Sequence, residues 1–344
     1  MLALNGPNKG PSSDRSASVG DASSHSSAGI WAGIVGVVSI AAIAAVGTAV
    51  GYIFDGPDGP ANAVVQLADI GEPPIALPIE ETERVLYWFE RFKTDQRPTF
   101  EYFLAREQVF GGMIRGKLRA RGMPEELLFL AMIESGLRPR ATSRVAAAGV
   151  WQFMDPTARQ YGLRIDKWVD ERRDPVKATD AALDYLSWLH DRYDSWYLAA
   201  AAYNAGPTRV DRALRSAGES EGEMDVYWRI QHMLPRETRE HVPRLIAATL
   251  LARRAEANGF SDGGDEFGRY EYDRVFVPGG TALNQVARAV RVDIATMRAL
   301  NPHLLRGMTP PGGAYALRVP IGSTARVVAT LGGGPWGTNL ADDD

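Results

Sequence analysis

The chain has 344 residues, a formal net charge of -4 and 23% charged residues. This length allows one sizeable folded domain, a small module and tails. The charge balance disfavours a nucleic-acid partner, which usually requires a basic excess. Cysteine is absent, which excludes disulfides, thiolate zinc sites, a cysteine nucleophile and a lipid anchor attached through cysteine.

The N-terminal part predicts membrane attachment. Residues 1–27 are rich in Ser, Gly and Ala without apolar periodicity, and they predict a disordered cytoplasmic tail. Residues 28–54 carry no charge over 27 positions and predict a transmembrane helix. A cleaved signal peptide is the alternative, although the apolar core of such a peptide is usually only about 7 to 15 residues long. Lys9 and Arg15 precede the span and acidic residues follow it, which predicts a cytoplasmic N-terminus and a periplasmic or extracellular remainder.

The rest of the chain predicts a mainly α protein with a small α+β module. Residues 55–78 predict a Pro-rich linker, and the helical apolar spacing of residues 79–260 predicts one all-α domain. Residues 261–270 include SDGGDEFG, which predicts a second linker. Residues 271–322 predict the order strand, helix, helix, strand. The Gly-rich residues 323–344 predict an unstructured tail.

One carboxyl group in the helical domain is a candidate general acid. Pro124 and Gly136 delimit a predicted helix over residues 124–135, and Glu134 falls in its last turn after the apolar run LLFLAMI. Desolvation and the negative end of the helix dipole both favour the protonated carboxyl that a general acid needs. The alternative is an exposed acid paired with Arg138 four residues later, the commoner state of an isolated Glu.

Three blocks of sequence give Glu134 a functional context. They are ESGLRPRATSRVAAAGVWQFM (134–154), AAYNAGPTRV (201–210) and LPRETREHVPRLIA (234–247). Together they resemble lytic transglycosylases of glycoside hydrolase family 23, most closely the membrane-bound lytic murein transglycosylases of the D type. The block VDERRDPVKATDAALDYL (169–186) and the preceding helices extend the resemblance to about 180 residues. The resemblance implies a lysozyme-like fold for the helical domain.

The resemblance also implies the site residues, with Glu134 as the catalytic acid. The implied substrate-binding residues are Ser143, Gln152, Met154, Tyr203, Asn204 and His241. Structural alternatives remain open, because Ser143 also suits a turn, Gln152 a helix start and Asn204 a helix end. Two positions depart from the family pattern: His241 stands where a tyrosine is usual, and Ala146 replaces a glycine that is often found there.

The implied reaction is non-hydrolytic. Glu134 protonates the oxygen of the β-1,4 bond between N-acetylmuramic acid and N-acetylglucosamine, assisted by the substrate's N-acetyl group. It then accepts the proton of the muramic 6-hydroxyl, which closes on C1 to give a 1,6-anhydro end. This lyase chemistry needs no second carboxylate, unlike most glycosidases. No cofactor is expected, and the scattered histidines predict no metal site.

Two other functions remain as alternatives. A lysozyme-like peptidoglycan hydrolase would need a second carboxylate to activate water. A non-catalytic cell-wall-binding scaffold would not depend on Glu134. Asp155 and Asp174 each precede a proline and are predicted to cap helix N-termini rather than to act in catalysis.

The C-terminal module resembles a LysM domain. Its formal charge is +3, from six Arg and three acidic residues between 271 and 322. The resemblance rests on Val277, Gly279, Gly280, Thr281, Leu283, Val286, Ala287, Leu300, Asn301 and Pro320. LysM domains bind N-acetylated glycans, so peptidoglycan strands are the predicted partner of both domains, and the tether would raise the effective substrate concentration. A generic small αβ unit is the alternative.

Overall fold

A computed structural model describes residues 76–220, 225–261 and 268–331. These residues belong to one compact unit. The described helices of the larger domain are α1 (Glu83–Lys93), α2 (Arg97–Ala120), α3 (Leu128–Ser135), α4 (Asp155–Gln160), α5 (Pro175–Tyr193), α6 (Trp196–Ala205), α7 (Pro207–Ala217), α8 (Val226–Ile230) and α9 (Arg236–Arg253). The prediction of a mainly α chain is confirmed.

The described residues contain no helix that is both long and apolar enough to cross a bilayer. The predicted cytoplasmic tail, the predicted transmembrane helix and most of the first predicted linker lie outside the described residues. Leu77 and Pro78 end that predicted linker, and both are held by the helical domain. The Leu77 side chain is buried, and the Pro78 carbonyl accepts a hydrogen bond from the Tyr197 hydroxyl.

The core of the larger domain is organised around α9, which packs against α1, α3 and α6. Most residues of α9 between 241 and 251 are buried, so a functional side chain on this helix is held on several sides. α5 and α6 begin with strong caps: the side chains of Asp174 and Ser195 accept hydrogen bonds from the first backbone amides of these helices. These caps fix where the two helices start.

The helix that carries Glu134 is shorter than predicted. Residues 125–127 form a 3₁₀ turn that follows Pro124, and the α-helix begins at Leu128. It ends at Gly136, whose φ of 63° lies in the left-handed region that favours glycine. Glu134 therefore lies in the last turn, as predicted.

The small domain follows the predicted order. Its elements are β1 (Asp273–Val277), α10 (Leu283–Val290), α11 (Ile294–Leu300), β2 (Tyr315–Val319) and α12 (Thr324–Leu331). The two strands pair antiparallel, with Val275 opposite Leu317. A Cβ atom on Gly279 would lie 2.6 Å from the Gly312 carbonyl oxygen, so only glycine fits this turn.

The prediction of an unstructured tail over residues 323–344 is wrong for residues 324–331. These residues form α12, and Val327 is buried in the same core as Val275 and Leu317. The prediction was based on the Gly-rich composition further along the chain, and it overlooked the short amphipathic segment that forms α12. Residues 332–344 lie outside the described residues.

The two domains are in close contact. Val169 of the larger domain is fully buried in the core of the small domain. Tyr270, at the end of the second predicted linker, packs its ring 5.1 Å from that of Phe110 and donates a hydrogen bond to the Leu300 carbonyl. The described end of this linker is therefore a packed junction.

Candidate active site

Glu134 and His241 form the centre of the site. The apolar run before Glu134 is buried in the core, but the Glu134 side chain is 16% exposed. Its Oε1 atom lies 2.8 Å from His241 Nε2, and His241 is 4% exposed on α9. Arg138 donates to the Ser135 carbonyl instead of pairing with Glu134. Glu134 therefore pairs with His241, and the alternative of an exposed Glu134–Arg138 pair is wrong.

The hydrogen bonding of His241 indicates which of its ring nitrogens carries a proton. Its Nδ1 atom is buried and has no hydrogen-bond partner among the described residues. A protonated ring would bury an unpaired N–H there, whereas a neutral ring with its proton on Nε2 leaves only a lone pair unsatisfied. The geometry therefore favours a neutral His241 that donates to Glu134. This hydrogen bond orients the carboxyl group through Oε1 and leaves Oε2 for another partner.

Tyr203 lies beside this pair. Its hydroxyl donates a 2.8 Å hydrogen bond to the Trp151 carbonyl oxygen. Burial raises the pKa of Tyr203 well above its usual value, and the charge of Glu134 raises it further. The phenol is therefore neutral and close enough to sense Glu134. Trp151 is fixed in turn by its indole N–H, which donates to Thr179 Oγ1 at 2.9 Å.

Asn204 is positioned from α9. Its Oδ1 atom accepts a 2.8 Å hydrogen bond from the hydroxyl of Thr238, which is buried. Sequence reasoning missed Thr238. Its three-residue spacing from His241 was a usable signal, because this spacing places both side chains on one face of a helix.

The segment between α3 and α4 carries three of the predicted residues. Ser143 Oγ accepts hydrogen bonds from the Ala147 and Val145 amides, at 3.0 and 3.3 Å. Gln152 has a φ of 49°, and its Nε2 atom donates to the Gly149 carbonyl at 2.8 Å. Both residues thus have turn-forming roles. Met154 is 43% exposed, and the substrate contacts of these residues remain predictions.

Arg172 supports this segment and was not singled out from the sequence. The buried guanidinium donates to the carbonyls of Ala146 and Phe153, at 2.9 and 3.2 Å, and pairs with Asp170 at 2.9 Å. Nothing in the run ERRDP distinguishes it from Arg173. Ala146 has a φ of 65°, which explains why glycine suits this position.

The predicted cap at Asp174 is confirmed, whereas the predicted cap at Asp155 is wrong. Asp155 is the first residue of α4, where it forms no cap and pairs with Arg159 at 2.7 Å. Met154 occupies the N-cap position instead. The Asp-Pro pattern is the same in both places, so only the backbone before each proline decides whether the carboxylate caps.

Aromatic rings extend from Tyr203 towards the surface. The Tyr203 ring lies 6.2 Å from that of Phe153 and 5.4 Å from that of Tyr185. Tyr185 in turn stacks on Trp188 at 6.2 Å, and Trp188 is exposed. Aromatic faces of this kind offer apolar contact area with polar edges. Sequence reasoning did not single out Tyr185 or Trp188.

Two known domain families match parts of the chain. Residues 113–226 match the transglycosylase SLT domain, and residues 271–332 match the LysM-like domain of lytic transglycosylase MltD. The chain carries an SLT domain followed by an MltD-type LysM-like domain. The matched part of the SLT domain contains Glu134, Tyr203 and Asn204, whereas His241 and Thr238 lie beyond it.

Individual relatives match parts of the chain. Membrane-bound lytic murein transglycosylase D of Escherichia coli K12 is 30% identical over 216 residues, which cover 62% of this chain and 47% of the relative. Soluble lytic murein transglycosylase of Salmonella typhimurium LT2 is 28% identical over 149 residues, covering 42% and 22%. The chain therefore spans less than half the length of these relatives.

A solved structure also matches the SLT region. An inactive mutant of lytic transglycosylase Slt from Pseudomonas aeruginosa is 24% identical and covers 43% of this chain and 24% of that chain. The TM-score is 0.35, too low for the likeness to support the fold or the site.

Proposed function

We propose that the chain is a lytic transglycosylase that cleaves peptidoglycan glycan strands, with a lysozyme-like SLT domain and Glu134 as its catalytic acid and base. The observation that carries the proposal is the largely buried Glu134, whose Oε1 atom is bonded to His241 and whose Oε2 atom has no hydrogen-bond partner among the described residues. The matches to SLT and MltD-type domains support the substrate class.

In the first step, protonated Glu134 donates its proton to the bridging oxygen of the bond between N-acetylmuramic acid and N-acetylglucosamine. The C1–O bond breaks, and its electron pair stays on the leaving oxygen. The acetamido oxygen of the muramic sugar attacks C1 and carries the positive charge. The Glu134 carboxylate left behind stabilises this cation, and the His241 N–H holds the carboxylate in place.

In the second step, the Glu134 carboxylate removes the proton of the muramic 6-hydroxyl. The 6-oxygen forms a bond to C1, the bond from C1 to the acetamido oxygen breaks, and Glu134 is protonated again. The product is a 1,6-anhydromuramic end, and no water is consumed. We assign Tyr203 and Asn204 to sugar binding, and their hydrogen bonds to the Trp151 carbonyl and the Thr238 hydroxyl would hold the two side chains in place for it.

The remaining parts of the chain bring the enzyme to its polymer. The LysM-like domain binds N-acetylated glycan, and its positive charge favours the acidic wall. In this proposal, residues 28–54 serve as a transmembrane anchor, with the N-terminus in the cytoplasm and the SLT domain on the periplasmic or extracellular side. The name of the E. coli relative as membrane-bound supports membrane association.

Hydrolysis is the competing reaction. A hydrolase needs a second carboxylate that is available to activate water. Glu240, next to His241 in sequence, accepts hydrogen bonds from Arg84 Nε and Trp88 Nε1, each at 2.7 Å. Its carboxylate is therefore already engaged, so Glu240 is not free to activate water.

Mass spectrometry of digested peptidoglycan tests the proposal. Wild type should release fragments with 1,6-anhydromuramic ends, and Glu134→Gln should reduce their rate about a thousandfold, because general acid–base catalysis is worth about 10² to 10⁴. Glu256→Gln changes an exposed glutamate in the same way and should keep full activity. Reducing ends in place of anhydro ends would establish hydrolysis, and full function of Glu134→Gln in cells would establish a scaffold.

A further inference from the structure

A cleft of about 1090 Å³ lies between the SLT domain and the LysM-like domain. One wall is formed by α2 and residues 138–141, and the other by α11 and residues 320–321. The first wall begins four residues after Glu134. This interdomain cleft is lined by neither Glu134 nor His241. Residues 138–141 of its first wall follow the helix of Glu134 directly in the chain.

Contacts on both sides fix the width of the interdomain cleft. Tyr270 donates its backbone N–H to the Val109 carbonyl at 3.0 Å and its hydroxyl to the Leu300 carbonyl at 2.9 Å. Arg140 reaches across from the SLT domain and donates to the Arg298 carbonyl at 3.1 Å. The cleft is therefore preformed, which lowers the entropic cost of binding.

The lining of the interdomain cleft is strongly positive. Its charged residues are Arg106, Arg138, Arg140, Arg269, Arg298 and the acidic Glu271. In the described structure, backbone carbonyl oxygens accept hydrogen bonds from the side chains of Arg106, Arg138 and Arg140. None of the five arginines forms an ion pair with a carboxylate of the described residues. Most of their N–H donors remain available for a ligand.

These positive charges destabilise one another. Burial lowers the pKa of Arg106, and the nearby Arg138 lowers it further. Burial also lowers the pKa of Arg140, with further contributions from Arg298 and Arg173. An anion in the cleft would relieve this repulsion, because opposite charges at such distances favour the charged guanidinium.

The interdomain cleft also has an apolar surface. The Arg106 guanidinium lies 5.2 Å from the centre of the Phe110 ring, and Leu300 and Ile321 line the opposite wall. Guanidinium groups bind carboxylates in a planar two-bond geometry. A short peptide with aliphatic side chains and several carboxylates has the chemistry that matches both surfaces.

We propose that the interdomain cleft binds the carboxylates of the peptide stems that muramic acid carries on its lactyl group. The inference rests on the proposed function for the identity of the polymer. The stem is attached to the same sugar whose bond is cleaved, and the cleft begins at Arg138, close in the chain to Glu134. A phosphate-bearing wall polymer offers a different oxyanion but is not attached to that sugar.

Binding to the intact chain tests the site without requiring catalysis. Isothermal titration of wild type with a purified stem peptide should show binding, and amidation of the peptide's carboxylates should abolish it. Arg140→Gln with Arg298→Gln should weaken binding about tenfold or more, because each hydrogen bond to a charged group contributes enough free energy for such a loss. Arg288→Gln with Arg326→Gln removes the same charge from exposed positions of the LysM-like domain and should leave binding unchanged.

Kinetics with two substrates gives a second measurement. For glycan that carries stems, the cleft double variant should raise KM about tenfold with kcat unchanged. For strands stripped of stems by an amidase, wild type and the double variant should have the same KM. These two results together would show that the stems supply binding energy and take no part in the chemical step.

The outcomes separate this inference from the proposed function. Stem binding that depends on Arg140 and Arg298 supports the site even if no anhydro product forms. If the cleft variant and the control variant weaken stem binding equally, the effect comes from the overall charge of the protein, and the proposal is overturned. Absence of stem binding, or binding of a glycerol phosphate polymer or inorganic phosphate in its place, would overturn it as well.

Discussion

Two carboxylates of this chain each lie beside a histidine, but at opposite ends of helices. Glu134 is in the last turn of α3, and its partner is His241 at 2.8 Å. Asp174 caps the start of α5, and its Oδ2 atom lies 3.3 Å from His303 Nδ1 in the LysM-like domain. The helix dipole disfavours an ionised carboxylate at the first position and favours it at the second.

Asp174 is held as an anion. Burial alone would raise its pKa, but Arg318 at 2.7 Å and the amides at the start of α5 outweigh this and keep the pKa below its usual value. Burial lowers the pKa of His303 to about 4, so this ring is neutral at pH 7 and Arg318 is the counter-ion. The Oδ1 atom of Asp174 thus accepts hydrogen bonds from Arg318 and from the amides of Val176 and Lys177.

Glu134 has fewer direct contacts. His241 bonds to one oxygen, and no arginine or backbone amide of the described residues donates to the carboxyl group, although the charge of Arg244 lies near enough to interact with it. Incomplete satisfaction of polar groups is expected where a structure serves function at the expense of stability. Asp174 therefore joins the two domains through Arg318, whereas a single hydrogen bond from His241 holds the Glu134 carboxyl group.

Removing the Asp174 charge should have the largest effect on stability. Asp174→Asn keeps a side chain that caps helices but leaves Arg318 buried without a counter-ion, which costs about 3 to 5 kcal/mol in free energy of unfolding. Urea unfolding measures this loss. Asp155→Asn is the matched control, because it also precedes a proline but its carboxylate is exposed. Equal losses in the two variants would contradict the assignment of Asp174 as the buried anchor.

The pH dependence of stability should report on His303. Below pH 6.5 the unfolded chain takes up a proton on this histidine, whereas the folded chain resists protonation until about pH 4. Stability should therefore fall as pH drops through this window, by up to about 3 kcal/mol. His303→Phe should remove this part of the pH dependence in urea unfolding. His232→Phe, at an exposed position, should leave the profile unchanged.

His241 should affect activity more than stability. His241→Phe removes the N–H that orients Glu134, and we expect kcat to fall about 10- to 100-fold, in line with the loss of a positioning hydrogen bond. His241→Tyr restores the residue usual in the family and should stay within about tenfold of wild type, because its hydroxyl is also a donor. The rates at which the variants release anhydro product, with KM measured separately, test this expectation. Equal loss in both variants would mean that the ring packs and does not donate.

The sequence predicted the helical domain and the strand–helix–helix–strand order because both depend on apolar periodicity. It also placed Glu134 in the last turn of its helix, because Gly136 marks the end. It could not predict that Asp174 would cap while Asp155 would not, since this depends on the backbone before each proline. Arg172 was missed for a similar reason, because the Ala146 carbonyl that it binds is distant in the chain. The bond from Thr238 to Asn204 also needs the fold, although the spacing of Thr238 from His241 was a signal in the sequence.

The burial of Val169 in the core of the LysM-like domain changes how the two domains work together. A flexible tether would only concentrate substrate near the enzyme, and the bound strand could present any bond within reach. A shared core removes this freedom. If the LysM-like domain binds the glycan, the protein sets the distance between the bound sugar and the cleaved bond. The lengths of the released fragments would then reflect this fixed distance.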